Sequence, residues 1–153
     1  MKDGKDSAVM DASLAWHSTQ FYRQAHDVGS SRVRFFEYQG KRILHIDFSR
    51  AGLEVVRAVA AECLHVVTAE PLHSVLSLVQ TGGVPFNSES YKVGAELTQR
   101  VQQYSLRTAI SGVTGFRSFV LQSIASAAKR PIKLFRERDE ALAWLISEES
   151  AGS

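Results

Sequence analysis

The chain has 153 residues and a mass of 16.9 kDa; 44% of its residues are hydrophobic and 22% are charged. This balance is typical of one globular domain with its own core, and it excludes collagen-like, low-complexity and coiled-coil proteins. The formal net charge of +2 at pH 7 argues against a general affinity for nucleic acid.

The first 30 residues differ from the rest of the chain. Residues 1–12 are polar and charged without a repeat, which predicts disorder. Residues 13–28 have weak helical spacing and carry Trp16, Phe21 and Tyr22. Two interpretations stay open for them: a helix that packs on the domain's own surface, or a helix that docks on a partner. A Gly-Ser segment then predicts a turn before the domain.

The next part of the chain predicts two strands, a helix and a third strand. Residues 33–38 and 42–48 favour strands, and the short turn between them requires an antiparallel hairpin. Apolar residues recur at helical steps from Leu53 to Val67, and Pro71 ends that helix. Residues 74–79 are continuously non-charged and mostly apolar, as expected for a strand covered on both faces.

The second half repeats this alternation. After a loop at 81–85, Asn87 or Ser88 caps a helix, a strand follows at 107–113, and a third helix ends before Pro131. The inner face of the capped helix is predicted to hold Val93, Leu97, Val101 and Tyr104. The apolar stripe of the third helix is predicted to be Phe116, Phe119, Val120, Ile124 and Ala127. A strand at 132–135 and a helix at 139–146 complete the domain.

Alternating strands and helices favour right-handed crossovers and a mostly parallel sheet. We therefore predict an α/β domain over residues 31–147, with a single mixed sheet of about five strands in the order β-β-α-β-α-β-α-β-α. Residues 148–153 are predicted to be a tail.

No group of residues predicts catalysis. His45, Asp47 and Ser49 share one strand face, but alternate side chains stand parallel, about 6.5–7 Å apart, and do not converge as a triad. We expect a polar face on which Asp47 or Ser49 caps the next helix. His65 and His73 have glutamates nearby but no further matching ligand for a metal. We predict no catalytic residue, metal or cofactor.

The turn from Ser111 to Gly115 has two glycines where a strand meets a helix. Its backbone N–H groups are then able to bind an anion. Close packing of the helix on the sheet explains the same glycines, and we favour that packing because the turn lacks the lysine and glycine spacing of a phosphate loop.

Positive charge concentrates near the end of the domain. Residues 107–138 contain one acidic residue, Glu137, and seven basic residues. The basic residues are Arg107, Arg117, Lys129, Arg130, Lys133, Arg136 and Arg138. Two interpretations stay open for this pattern. It is a basic surface that binds an acidic partner or anionic headgroups, or it is an ordinary solvated face. No aromatic residues interleave these bases as they do in nucleic-acid modules, so we predict no nucleic acid partner.

The single cysteine, Cys63, forms no internal disulfide, which favours a reducing compartment. The charged start does not resemble a signal peptide, and no apolar run reaches membrane-spanning length. We predict a cytoplasmic protein without a membrane span.

Three segments, residues 40–49, 110–116 and 135–145, resemble a bacterial SpoIIAA-like family. That family belongs with the STAS domains (sulfate transporter and anti-sigma factor antagonist), and is sometimes labelled lipid-transfer-like. The resemblance covers about Arg32 to Ile146 and implies a sheet with helices wound over it, usually in non-enzymatic regulators that bind proteins. The antagonists carry a phosphorylated Asp-Ser-Ser/Thr-Gly signature. Residues 81–88 lack it and offer only hydroxyls such as Thr81 and Ser88.

We therefore expect a non-enzymatic cytoplasmic regulatory module that binds a protein partner of unknown identity. We also expect it to form a homodimer through the N-terminal arm. The predicted partner or ligand surface consists of Gly82, Gly83, Phe86, Ser88, Tyr91, Gly112, Thr114, Gly115 and Arg117. The alternative is a carrier or sensor of a small apolar or anionic ligand such as a lipid.

Overall fold

Residues 32–84, 87–115 and 117–147 are described by the structure, a computed structural model. The predictions for the N-terminal arm, the C-terminal tail, Phe86 and Phe116 lie outside these residues. Within the described chain, five strands and four α-helices follow the predicted order. They are β1 (Val33–Tyr38), β2 (Lys41–Asp47), α1 (Leu53–Val67), β3 (Val75–Gln80), α2 (Ser88–Val101), β4 (Ser105–Ser111), α3 (Arg117–Ala127), β5 (Ile132–Leu134) and α4 (Arg138–Ile146).

The strands form one sheet in the order β1-β2-β3-β4-β5. β1 is antiparallel to β2, and the remaining neighbours are parallel. The hairpin turn consists of Gln39 and Gly40, with φ of 50° and 82°, which is the backbone geometry that two-residue hairpins prefer. The predicted α/β fold with a single mixed, mostly parallel sheet is confirmed.

Helices cover both faces of this sheet. Each parallel strand lies beside the one before it, so right-handed crossovers place α1, α2 and α3 on the same face. On that face, Leu44 and Ile46 pack in one cluster with residues of α1 and α2. On the opposite face, Ile43 and Leu78 pack against α4 through residues such as Leu142. We call these the helix face and the α4 face.

Two local predictions are confirmed by contacts. The first four residues of β3, from Val75 to Leu78, are all buried, as expected of a strand covered on both faces. Asn87 caps α2: its Oδ1 accepts from the Ser90 backbone N–H at 2.9 Å, and its own N–H donates to Ser90 Oγ at 3.0 Å. Ser88 is therefore the first residue of α2 rather than its cap.

The predicted stripe of α3 is only partly correct: Ile124 is buried as predicted, whereas Phe119 and Ala127 are not. Phe119 is 75% exposed and Ala127 is exposed, while Leu121 and Ile124 are the residues that face the core. The reason is that α3 lies over the last strands of the sheet, where β5 contributes only three residues. Such a narrow surface is covered by a narrow strip of the helix, and that strip is rotated from the predicted one.

The predicted cap of α1 is wrong. Its N-cap is Gly52, which makes no side-chain hydrogen bond. Asp47 and Ser49 are too far ahead of the helix and instead bond to each other: Asp47 Oδ1 accepts from the Ser49 backbone N–H at 2.9 Å and from Ser49 Oγ at 2.5 Å. They therefore close the turn that follows β2. Among the described residues, no helix is long and apolar enough to cross a membrane.

Candidate functional site

The loops that carry most of the predicted surface residues lie together at the carboxyl edge of the sheet. A Cβ added to Gly112 (φ +83°) would lie 3.0 Å from the backbone N of Gly82. Thr81 donates to the Ser111 carbonyl from its N–H at 3.1 Å and from its Oγ1 at 3.0 Å. Close packing thus explains Gly112, but the packing is between two loops and not, as expected, between a helix and the sheet.

The backbone donors of this edge are largely committed to neighbouring loops. Arg50 N–H donates to the Gly82 carbonyl at 2.9 Å, and Val113 N–H donates to the Phe135 carbonyl at 3.1 Å. Gly83 (φ +75°) lies against Arg50, whose Cγ would be 3.1 Å from an added Cβ. Cross-bonded loops of this kind favour a packed edge over an open anion site.

The other predicted surface residues are spread over this edge. Ser88, Thr114 and Gly115 are exposed, and the side chain of Arg117 lies outside the described part of the chain. Tyr91 is half-buried and turns toward α3, where its hydroxyl lies 3.3 Å from Ser123 Oγ. The nine-residue surface therefore stays a prediction, although its glycine loops do meet.

The polar residues of the α4 face do not form a catalytic arrangement. Asp47 bonds to Ser49, whereas the buried atoms His45 Nε2 and Ser111 Oγ have no hydrogen-bond partner among the described residues. Burial lowers the pKa of His45 below 6.5, Asp47 opposes that shift, and Arg138 and Arg34 add to it. Within the described chain, no three His, Cys, Asp or Glu side chains are grouped to hold a metal.

The basic segment is less of a surface than its sequence indicates. Arg107 is buried on β4, where its Nη1 donates to the carbonyls of Trp144 at 2.7 Å and Leu145 at 3.2 Å. These carbonyls end α4, and a cation is favourable at a helix C-terminus. The prediction that Arg107 contributes to a basic surface is therefore wrong, because α4 covers it.

The structure has an apolar cavity on the helix face that the sequence did not predict. It has a volume of about 130 Å³ and lies between the sheet and helices α1, α2 and α3. Its central wall is formed by short or branched side chains, including Ser77, Val79, Thr108, Ile110, Val93, Gly94 and Leu121. No local sequence signal marks this wall, because Ser77 comes to lie beside Thr108 and Val79 beside Ile110 only when β3 pairs with β4.

The cavity has polar residues at both ends. At the carboxyl edge of the sheet it is lined by Thr81, Ser90 and Tyr91, and the hydroxyl group of each makes a contact already described. At the amino edge it is lined by Gln102, Ser105 and Arg130. Among the described residues that line the cavity, Arg130 carries the only charged side chain.

Cys63 contributes a neutral thiol to this wall. Burial, and secondarily the neighbouring Glu62, raises the pKa of Cys63 to about 12. A thiol that stays protonated is a small apolar group and a poor nucleophile. Cys63 therefore presents no thiolate chemistry to the cavity at neutral pH.

Comparisons of the chain with protein-family models, curated proteins and solved structures find no match.

Proposed function

We propose that this protein binds a small apolar molecule in the cavity of the helix face, as a carrier or sensor. The observation that carries the proposal is the cavity itself, about 130 Å³ with a predominantly aliphatic wall. An engineered cavity of about 150 Å³ with comparable lining in another protein accepts benzene, so the volume suffices for a ligand of that class.

The energetics of the cavity wall support binding. Interiors are otherwise close-packed, and side chains that border a cavity have fewer neighbouring atoms within dispersion distance. A ligand of matching shape provides those contacts without opening the core. The wall includes Cys63 as a protonated thiol and lacks an acidic side chain among its described residues, so it offers the ligand a non-reactive surface.

The test is a titration of the purified full chain with benzene and with decanol, followed by isothermal calorimetry and thermal unfolding. A ligand that binds only the folded state raises Tm, because about 2.7 kcal/mol of stabilisation results at 100 times Kd. We expect Val79→Phe, which places a ring in the cavity, to abolish binding. Leu78→Met is the matched control on the same strand, since its side chain packs under α4.

Binding of neither molecule to the wild type contradicts the proposal, as does equal binding by Val79→Phe and the wild type. Because overpacking costs about 1–3 kcal/mol, circular dichroism must show that both variants are folded at the temperature of the titration.

A protein-docking function is a second candidate, supported by one observation. Phe119, on the exposed side of α3, is 75% exposed. It follows the loop that carries Gly112, Thr114 and Gly115, so it adds an apolar anchor to the predicted partner surface. The α/β sheet with helices wound over it agrees with the fold that the SpoIIAA-like resemblance implies, and the regulatory role rests on that resemblance alone. The free, buried Cys63 supports a cytoplasmic location.

Affinity capture from cell extract with the wild type and Phe119→Ser tests the docking function. Leu72→Ser is the control, because Leu72 is 59% exposed at the opposite edge of the sheet. We expect one partner to be retained by the wild type and by the Leu72 variant and lost with the Phe119 variant. Equal capture by all three contradicts it. Gel filtration of the full chain and of a variant without residues 1–30 tests the homodimer.

A further inference from the structure

We propose that the ligand of the cavity is a single-chain fatty acid whose carboxylate is held by Arg130. This inference rests on the proposed function and adds the ligand's chemical class and its direction in the cavity. It is carried by the shape of the cavity and by the position of its charge.

The shape of the cavity favours one extended hydrocarbon chain. Its lining runs along β4 from Ser105 to Ile110, about 17 Å at a rise of about 3.3 Å per residue. A volume of about 130 Å³ distributed over such a length is narrow. A fused-ring molecule or a pair of acyl chains is too wide for it, whereas a single unbranched chain is not.

The charge at one end favours an anion. Arg130 follows α3, is half-buried, and its Nε donates to the Ser105 carbonyl at 3.0 Å, which holds the guanidinium across the amino edge of the cavity. Its Nη atoms make no hydrogen bond or ion pair with the described residues. A guanidinium with two unused donors suits a carboxylate, which accepts two parallel hydrogen bonds from it.

Gln102 provides a second donor at the same end. Its Oε1 accepts from the Lys129 backbone N–H at 3.2 Å, and its Nε2 has no hydrogen-bond partner among the described residues. The opposite end offers neutral hydroxyls that are already engaged, on Thr81, Ser90 and Tyr91. The carboxylate therefore lies at Arg130, and the alkyl chain points toward the carboxyl edge of the sheet.

Calorimetric titration with decanoate and decanol tests this inference, because the two molecules share a chain and differ in the charge of the head group. We expect the wild-type protein to bind decanoate at least about tenfold more tightly than decanol, since hydrogen bonds to charged groups exceed neutral ones by that order. Arg130→Gln should remove this preference, because it should weaken decanoate binding far more than decanol binding. Arg130→Lys should retain part of it.

The control is Arg136→Gln, which removes an exposed arginine from the carboxyl edge, away from the cavity lining. It should leave both affinities unchanged. The inference is overturned if Arg130→Gln and Arg136→Gln lose decanoate binding equally, or if Arg130→Gln loses none.

Equal affinity of the wild-type protein for decanoate and decanol also overturns the inference. This comparison needs no variant, so it holds even if Arg130→Gln does not fold. Binding of decanol with no preference for decanoate leaves the proposed function standing and removes only the fatty acid. Binding of neither molecule, nor of benzene, removes both.

Discussion

The two faces of the sheet differ in how completely they are packed. On the α4 face, Leu78, Ala109 and Ala141 are 0% exposed and Leu142 is 1% exposed, and their cluster contains no part of the cavity wall. On the helix face, a cavity of about 130 Å³ lies between the sheet and helices α2 and α3. Successive residues of a strand point to opposite faces, so adjacent substitutions separate the stability of the fold from the binding of a ligand.

Matched leucine truncations should show the largest difference between the faces. Leu142→Ala should lower the free energy of unfolding by about 4 kcal/mol, because removing this side chain leaves a new cavity in the packed cluster under α4. Leu121→Ala should cost about 2 kcal/mol, because Leu121 already borders a cavity and loses fewer contacts. Urea unfolding with unchanged m-values measures both. Equal losses contradict the difference in packing.

Removal of the buried cation under α4 should have the next largest effect. Arg107→Met should cost about 2 kcal/mol, because hydrogen bonds from a charged group to the carbonyls of Trp144 and Leu145 are lost. Arg136→Met is the exposed control and should stay within about 0.5 kcal/mol of the wild type. Decanol affinity should be unchanged in both. A loss of decanol binding with Arg107→Met would contradict the independence of the two faces.

A glycine on the cavity side should give a smaller change of opposite sign. Gly94 lies inside α2, and a Cβ there would meet Ile124 Cδ1 at 3.5 Å, an ordinary contact distance. Gly94→Ala should therefore raise the unfolding free energy by about 0.5–1 kcal/mol through helix propensity. It should also weaken decanol binding slightly, because Gly94 lines the cavity. A destabilised variant with unchanged decanol affinity would show that Gly94 does not border the bound decanol.

The parts of the fold that depend on local patterns were predictable from the sequence. Alternation marks β2, helical spacing marks α1, and the Asn87 side chain identifies the start of α2 through a cap that needs only neighbouring residues. The order of these elements then specifies a mostly parallel sheet, since each crossover needs a helix between adjacent parallel strands.

The cavity and the buried arginine depend on contacts between distant segments and were not predictable in that way. Ser77, Thr108 and Gly94 come from three elements, and nothing in the local sequence shows that they face the same space. Arg107 was expected on the surface because the burial of a charge is rare. Its partners, the last carbonyls of α4, lie 37 and 38 residues further along the chain.

The smallest expected effect concerns the edge of the α4 face, where His45 lies on β2. Its pKa is lowered from 6.5 mainly by burial, so the unfolded chain binds more protons than the folded one as pH falls below that value. Stability that is complete above pH 6.5 should therefore decline as pH falls toward the folded-state pKa. His45→Gln should flatten this part of the pH dependence, measured by urea unfolding at successive pH values.

The charged neighbours of His45 determine how much of that dependence it carries. Asp47 favours its protonated form, whereas Arg138 and Arg34 oppose it, so burial remains the main cause of the lowered pKa. His73→Asn is the control, because His73 is exposed and has φ of 56°, which asparagine tolerates. A slope lost with His73→Asn and retained with His45→Gln would place the pH sensitivity outside the α4 face.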